Sequence, residues 1–225
     1  MIMAELDADL HYLARGYVER VPPEYFVDED DTGIVWQPDV YPETLKLARA
    51  SGRSIIIDLG CGRAGKLVEL RRGDPNIEIV GVDFGANISW CRNHLPDWCW
   101  LDVDLETATA LPLEEATVAR SVVVCSDVLE HLVNPQPTMR LICSLLASGA
   151  ACAVLSTPAR DRRAGTEHPG PPGNPSHVRE WTRTEFSAFV ESFPVVVDRF
   201  ELTRSDDGGG GLTTQLVVLS ALDRR

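Results

Sequence analysis

Apolar residues between positions 41 and 156 fall into short continuous runs that alternate with segments of helical periodicity. The runs predict strands at 54–59, 77–82, 98–101, 119–125 and 150–156. The segments between them predict helices near 45–48, 66–72, 86–94 and 137–146. Strands without polar alternation, separated by helices, indicate a parallel sheet that is covered on both faces.

The pattern changes after residue 156. A Gly- and Pro-rich stretch, 160–179, predicts a long loop, and a helix is expected at 184–192. Two β-rich segments, 195–200 and 213–219, are joined by a Gly-rich connection and predict an antiparallel hairpin at the sheet edge. We therefore expect an α/β, doubly wound, Rossmann-like domain.

Residues 1–40 lack this alternation. A short helix is expected at 10–18, and an acidic run occupies 28–31. Aromatic residues scattered through the segment indicate either a lid over a ligand or a solvated arm with a few core anchors: Tyr17, Tyr25, Phe26 and Trp36. We divide the chain into an N-terminal arm or lid, 1–40, and the α/β domain, 41–225.

The amino-acid composition and the net charge indicate which classes of partner the protein binds. With 44% apolar and 24% charged residues, 225 residues fit one globular domain. The net charge of -13 disfavours nucleic acid and favours a small-molecule substrate. The first ten residues have neither a basic start nor an apolar stretch, and no run is of membrane-spanning length, so we expect a cytoplasmic protein with no membrane partner. The oligomeric state stays open, a homodimer included.

The turn after the strand at 54–59 has the features of a nucleotide site. The segment 58–65 contains G-x-G-x-x-G between a buried strand and a helix, and Asp83 ends the next strand where a ribose-binding carboxylate belongs. Gly60 and Gly62 let the backbone turn tightly and approach a ligand. This fingerprint is shared with dinucleotide sites, and Arg63, near the position of a pyrophosphate, favours a dinucleotide.

Two acids favour S-adenosylmethionine over a nicotinamide cofactor. Asp58 stands two residues before the first glycine, where it can meet the amino end of methionine. Asp102 follows the third strand, where it can hold an adenine amino group. The chain has no Tyr-x-x-x-Lys device, so an NAD(P)-dependent oxidoreductase is the weaker alternative.

These motifs, in this order and spacing, resemble those of class I S-adenosylmethionine-dependent methyltransferases over residues 41–220. The resemblance rests on Asp58-x-Gly60-x-Gly62, Val82-Asp83, Leu101-Asp102 and the segment 126–132. It implies a seven-stranded sheet with one antiparallel edge strand, and it places Asp83 on the ribose hydroxyls. The expected cofactor contacts are Asp58, Gly60, Gly62, Asp83, Phe84, Asp102, Val103 and Ser126.

Asp127, Glu130 and His131 follow the fourth strand, at the edge where parallel sheets bind their ligands. In a helix or helical turn these positions share one face, so they predict a partial metal site. His177, in the long loop, is the fourth candidate ligand. The combination resembles the small-RNA 3′-terminal 2′-O-methyltransferases, whose acids and histidines hold a divalent ion, although Asp127 stands where a glutamate is usual.

A second resemblance is to bacterial methyltransferases associated with glycosyltransferases. It rests on the segments 36–41, 81–85 and 170–181, and it implies a sugar or a glycosylated metabolite as the acceptor. Mg²⁺ suits the carboxylates, whereas two imidazoles equally suit Mn²⁺, Fe²⁺ or Zn²⁺. A bound cation would lower the pKa of an acceptor hydroxyl, and His131 or His177 would take its proton.

Two other functions stay open. In the first, the protein is a metal-free N- or C-methyltransferase that uses a histidine as general base. In the second, it is a non-catalytic S-adenosylmethionine-binding partner of another enzyme. Such a partner would keep Asp58 and Asp83 but would not need the cluster of acids and histidines, so the intact cluster favours an enzyme.

Overall fold

The computed structural model describes residues 6–24 and 34–222. Tyr25, Phe26 and the acidic run 28–31, to which the lid hypothesis refers, lie outside the described residues. Among the described helices, none combines the length and the hydropathy needed to cross a membrane.

Between residues 40 and 222 the predicted strands and helices appear in the predicted order, and two four-residue helices, 115–118 and 160–163, are added to them, the second at the start of the expected long loop. The strands are β1 (Leu6–Asp7), β2 (Leu13–Ala14), β3 (Ile55–Leu59), β4 (Glu78–Asp83), β5 (Cys99–Asp102), β6 (Ser121–Ser126), β7 (Ala153–Pro158), β8 (Val195–Arg204) and β9 (Leu212–Ala221). The α-helices are α1 (Val40–Ala50), α2 (Gly65–Gly73), α3 (Gly85–His94), α4 (Glu115–Val118), α5 (Gln136–Ala147), α6 (Arg160–Arg163) and α7 (Arg183–Glu191).

Seven strands form one sheet in the order β5-β4-β3-β6-β7-β9-β8. The first five pair in parallel, whereas β9 runs antiparallel to both of its neighbours. The predicted α/β, doubly wound fold and its edge hairpin are thus confirmed. Within the hairpin, the reversed strand β9 is the inner one, and the edge strand β8 again runs in the direction of the others.

Helices cover both faces because the central strands are apolar on both sides. Along β3, Ile55 and Ile57 belong to the core cluster that includes residues of α5 and α7, whereas Ile56 belongs to the cluster with residues of α1, α2 and α3. Each of the three isoleucines is at most 2% exposed. Burying such a side chain contributes roughly 1.5–3 kcal/mol, so the unbroken apolar runs select a sheet layered between helices.

The prediction of a short helix at 10–18 is wrong. A 3-10 turn covers Ala8–Leu10, and the chain then reverses so that β1 pairs antiparallel with β2. His11 and Tyr12 adopt φ values of 53° and 62°, in the left-handed region that ends a right-handed helix. Leu13 and Tyr17 instead anchor the segment in the core.

The N-terminal arm is fastened to the β8–β9 hairpin. The Gln37 N–H donates to Ser205 O (2.7 Å), and the Asp207 N–H donates to Val35 O (3.1 Å). The Val35 N–H in turn donates to Asp207 Oδ1 (2.9 Å). These bonds place residues 34–39 over the carboxyl ends of the parallel strands, where β6 and β7 end.

Candidate active site

Gly60 is required at the turn after β3 for two reasons. Its φ of +81° lies in the left-handed region, and a Cβ built on it would lie 2.3 Å from Val128 Cγ2. Gly62 also has a positive φ, 55°. The turn can therefore pass close to the segment that follows β6 only with glycine at residue 60.

Asp58 lies fully buried at the base of this turn. The Tyr41 hydroxyl donates to its Oδ2 (2.8 Å), whereas Oδ1 has no hydrogen-bond partner. Burial raises the pKa of Asp58 to about 7. A buried carboxylate oxygen without a partner fits a cationic donor, which is the group that an amino acid ammonium supplies.

Asp83 ends β4 and is held by backbone donors. Its Oδ2 accepts the Gly62 N–H (2.8 Å), and its Oδ1 accepts the Phe84 N–H (2.7 Å). The side-chain amide of Asn87 lies 3.5 Å from the same Oδ1. These bonds fix the carboxylate beside the glycine turn, in an orientation from which it can accept hydroxyl donors of a ribose.

Two cavities of about 270 Å³ each flank the glycine turn. Both are lined by the two glycines, Asp127 and His131. The other residues of the first cavity include Tyr41, Lys66, Trp36 and Ser126. Those of the second include Asp83, Phe84, Asn87, Asp104 and Leu105. The two cavities thus share part of their lining and differ in the rest.

Asp102 and Val103 line neither of these cavities. The Asp102 carboxylate lies 3.5 Å from Arg92 Nη1, with both side chains about half exposed. The Val103 N–H donates to Asp83 O (2.9 Å). Asp104 takes the place at the cavity wall, and the Asp-x-Asp spacing of the sequence could have indicated this second acid.

The four predicted metal ligands lie together. Asp127, Glu130, His131 and His177 each offer one ligand atom, and these atoms lie within 4.8 Å of one another. Residues 127–131 form a turn, in which the His131 N–H donates to Val128 O (2.9 Å), rather than the start of a helix. Asp127 adopts a left-handed φ of 60°, so the turn gathers the side chains without helical geometry.

Among these four residues, Glu130 gives the strongest indication of a cation site. It is 0% exposed, and neither of its carboxylate oxygens has a hydrogen-bond partner. Burial and the neighbouring Asp127 raise its pKa well above the usual range. Burial, followed by the nearby His177 ring, lowers the pKa of His131 to about 4, so its imidazole is neutral at pH 7. A divalent cation would compensate the negative charges of the two carboxylates. It would also accept lone pairs from both imidazoles.

The two histidines are oriented through their Nδ1 atoms. That of His131 lies 3.0 Å from Ser176 O, and that of His177 lies 2.8 Å from Glu180 Oε1. A proton on each Nδ1 completes these bonds and leaves the Nε2 lone pair for an ion or a proton. The Nε2 of His177 receives the Asn174 amide, 3.0 Å away, a contact that an ion would displace.

Buried polar contacts fix the loop that carries His177. The Val178 N–H donates to Glu130 O (2.8 Å), which joins the loop directly to the turn after β6. Arg160 donates to Glu180 O (2.9 Å) and pairs with Glu185 (2.7 Å), and both side chains of that pair are 2% exposed. The Tyr17 hydroxyl accepts the Glu180 N–H (3.0 Å).

The sequence analysis did not identify Gln37, which lies within this site. Its Nε2 donates to Asp127 Oδ1 (2.6 Å). Its Oε1 accepts the hydroxyls of Ser126 (3.2 Å) and Ser156. Because Gln37 lies about 90 residues before Asp127 in the chain, sequence spacing carries no signal of this contact.

A family model described as a methyltransferase domain matches residues 51–184. The ubiquinone biosynthesis O-methyltransferase of Stutzerimonas stutzeri (strain A1501) is 31% identical over 111 residues, which are 48% of this chain and 46% of that protein. The chain therefore spans about half the length of this curated relative.

Solved structures share the fold at low sequence identity. The small RNA methyltransferase HEN1 is 18% identical with a TM-score of 0.60, covering 91% of this chain and 27% of that one. The O-methyltransferase NcsB1 from neocarzinostatin biosynthesis, in complex with S-adenosylmethionine and 2-hydroxy-5-methyl naphthoic acid, is 13% identical with a TM-score of 0.57 and coverages of 76% and 50%.

Proposed function

Since the chain belongs to the methyltransferase-domain family and is an S-adenosylmethionine-dependent methyltransferase, we propose that it methylates a hydroxyl of a small molecule with the help of a divalent cation. The acceptor is a sugar or a glycosylated metabolite. The observation that carries this proposal is the buried, unpartnered carboxylate of Glu130 among Asp127 and two histidines.

We infer that the cofactor lies across both cavities. The unpartnered Oδ1 of Asp58 would bind the amino group of the methionine, and Asp83 would bind the ribose. Phe84 and Asp104 line the second cavity, where the adenine would lie. S-adenosylmethionine supplies the methyl group on a positively charged sulfonium, which would lie between the sites of Asp58 and Asp83. Asp58 itself lines neither cavity, but Tyr41, whose hydroxyl donates to it, lines the first.

Asp127, Glu130, His131 and His177 would hold the cation at the lining that the two cavities share. When bound, a divalent cation fixes two neighbouring acceptor oxygens and lowers the pKa of a hydroxyl. If Asp127, Glu130 and His177 alone held the cation, His131 Nε2 would accept the hydroxyl proton, because the Ser176 carbonyl keeps the other proton of the ring on Nδ1. The deprotonated oxygen would then form a bond to the methyl carbon as the S–CH3 bond breaks, and neutral S-adenosylhomocysteine would leave.

Two observations support a neutral, sugar-like acceptor. Trp36 lines the first cavity and is 45% exposed, and an aromatic face of this kind packs against the C–H face of a sugar ring. The net charge of -13 disfavours a polyanion such as RNA.

A second candidate is metal-free transfer to oxygen, nitrogen or carbon, with His177 as the general base. It is supported by the 2.8 Å contact between His177 Nδ1 and Glu180, because a carboxylate in this position orients an imidazole and stabilises its protonated form. In this case His177 would take the proton of the acceptor, and the cluster would hold no ion.

Methyl transfer with and without cations distinguishes the candidates. A panel of glycosides and their aglycones is assayed with S-adenosylmethionine after exhaustive chelation, and then with Mg²⁺, Mn²⁺, Fe²⁺ or Zn²⁺ restored one at a time. We expect turnover to disappear on chelation and to return with one or more of these ions. Full turnover in the chelated sample would establish the metal-free route instead.

A further inference from the structure

We propose that Gln37 is a positioning residue for the metal centre, which it completes from the N-terminal arm by orienting the carboxylate of Asp127. This inference rests on the proposed cation site. The Nε2 of Gln37 donates to Asp127 Oδ1 across 2.6 Å, and Gln37 is only 3% exposed. The hydrogen bond therefore forms where water does not compete with it.

The amide of Gln37 has one favourable orientation. Its Oε1 accepts the hydroxyls of Ser126, the last residue of β6, and of Ser156 in β7, and the two hydroxyl oxygens lie 2.9 Å apart. A flipped amide would turn Oε1 towards the carboxylate of Asp127, where two acceptors would meet. The two serines thus commit Nε2 to Asp127.

Both residues of this contact have unusual backbones. Gln37 adopts a φ of 49° and Asp127 a φ of 60°, both in the left-handed region that residues other than glycine rarely occupy. Such conformations persist only where the surroundings impose them, and they concentrate at functional sites. Two of them meet here at a single hydrogen bond.

The β8–β9 hairpin holds the backbone of Gln37. The Gln37 N–H donates to Ser205 O (2.7 Å), and the Arg204 N–H donates to Asp39 Oδ2 (3.1 Å) next to it. An isolated bridge between Trp36 and Asp206 continues the pairing. The hairpin thereby fixes the arm at the height of the metal cluster.

A neutral amide suits this task. It fixes the plane of the Asp127 carboxylate without neutralising the negative charge that a cation needs. A lysine or arginine at residue 37 would instead compete with the ion for the carboxylate. Hydrogen bonds to ligating carboxylates typically change metal affinity by about 10–100-fold when they are removed.

The test is calorimetric titration of the full chain with Mn²⁺, for wild type and for Gln37→Leu. Gln215→Leu is the matched control, because Gln215 is also a buried glutamine, but its amide donates to Pro158 O (3.2 Å) and Trp181 O (3.0 Å). We expect Gln37→Leu to weaken Mn²⁺ binding by about 10–100-fold. Binding of S-adenosylhomocysteine in chelator should change less than about twofold, and Gln215→Leu should keep the wild-type Mn²⁺ affinity.

Ser156→Ala provides a second variant, which keeps the amide and removes one bond that orients it. We expect an Mn²⁺ affinity about threefold lower, the scale of part of one hydrogen bond. If both Gln37→Leu and Ser156→Ala kept the wild-type Mn²⁺ affinity, the role of Gln37 would be overturned, but the proposed cation site would stand. Absence of Mn²⁺ binding by wild type would overturn the proposed cation and this role with it.

Discussion

The Nδ1 atom of His177 lies 2.8 Å from Oε1 of Glu180, within a buried pair that faces the turn after β6. Glu180 therefore fixes the tautomer of His177 and the direction of its Nε2. A carboxylate behind a ligating or proton-accepting imidazole raises its basicity, and its loss typically costs about 10–100-fold in metal affinity or activity.

We expect Glu180→Gln to lower kcat by about 10–100-fold, because the amide can accept the hydrogen bond but carries no charge. The measurement is the steady-state rate at saturating S-adenosylmethionine. Glu167→Gln, an exposed carboxylate of the same loop, is the control and should retain wild-type activity. If Glu180→Gln and wild type had equal rates, the charge of Glu180 would have no role in orienting His177 for the reaction.

Asp58 makes cofactor binding depend on pH. Burial raises the pKa of Asp58 to about 7 in the free protein, and the ionised form binds an ammonium better than the neutral form does. Affinity for S-adenosylhomocysteine should therefore rise with pH and level off above this pKa, with about a tenfold gain between pH 6 and pH 8. Calorimetry across this range measures it.

The same shift predicts the effect of pH on stability. Because the pKa of Asp58 is higher in the folded state than in the unfolded state, its contribution to stability is fully present below about pH 4 and is lost as the pH rises through about 7. Asp58→Asn should flatten both profiles. A pH dependence of binding that persists unchanged in Asp58→Asn would assign it to another group.

Gly60 allows the turn after β3 to pass close to the segment that follows β6. Gly60→Ala should lower the free energy of unfolding by roughly 1–3 kcal/mol and weaken S-adenosylhomocysteine binding, because the new Cβ would meet Val128 and the positive φ would be strained. Gly173→Ala, whose Cβ would meet nothing within 4 Å, is the control. Denaturant unfolding measures both, and equal stabilities would contradict the crowding at residue 60.

The acid after β5 that serves the cofactor should be Asp104 rather than Asp102. Both side chains are exposed, but Asp104 lines the second cavity, whereas Asp102 pairs with Arg92 and lines neither cavity. We expect Asp104→Ala to weaken S-adenosylhomocysteine binding by about tenfold, the scale of one lost hydrogen bond to a charged group. Asp102→Ala should change it little. The opposite ranking would restore the assignment of Asp102 made from its motif position.

Local pattern was sufficient for the fold but only partly for the site. The runs that became β3, β4 and β6 consist mainly of apolar residues, without polar alternation, so their burial could be read directly from the chain. The turn at Asp127 could be located as a strand end, whereas its left-handed backbone could not be inferred from residue type. Gln37 reaches the site through contacts that span about 90 to 120 residues, and no local period encodes them.

The N-terminal arm illustrates the same limit. Its apolar residues near Leu13 and Tyr17 fit a helical spacing, but positive φ values at His11 and Tyr12 break the helix and turn the chain towards the loop of His177. The Trp181 indole donates to His11 O (3.0 Å) in the resulting contact. Tertiary packing, which sequence periodicity does not describe, decided this conformation.

Thermal unfolding with and without Mn²⁺ shows whether Glu130 belongs to a cation site. Wild type should gain a higher midpoint with Mn²⁺, because the ion binds the folded state. Glu130→Gln should unfold at an equal or higher temperature than wild type in chelator, since it removes an unpartnered buried carboxylate, and should gain nothing from Mn²⁺. If Mn²⁺ left the unfolding midpoint of wild type unchanged, or raised the midpoint of Glu130→Gln by the same amount, Glu130 would not be a ligand of a bound cation.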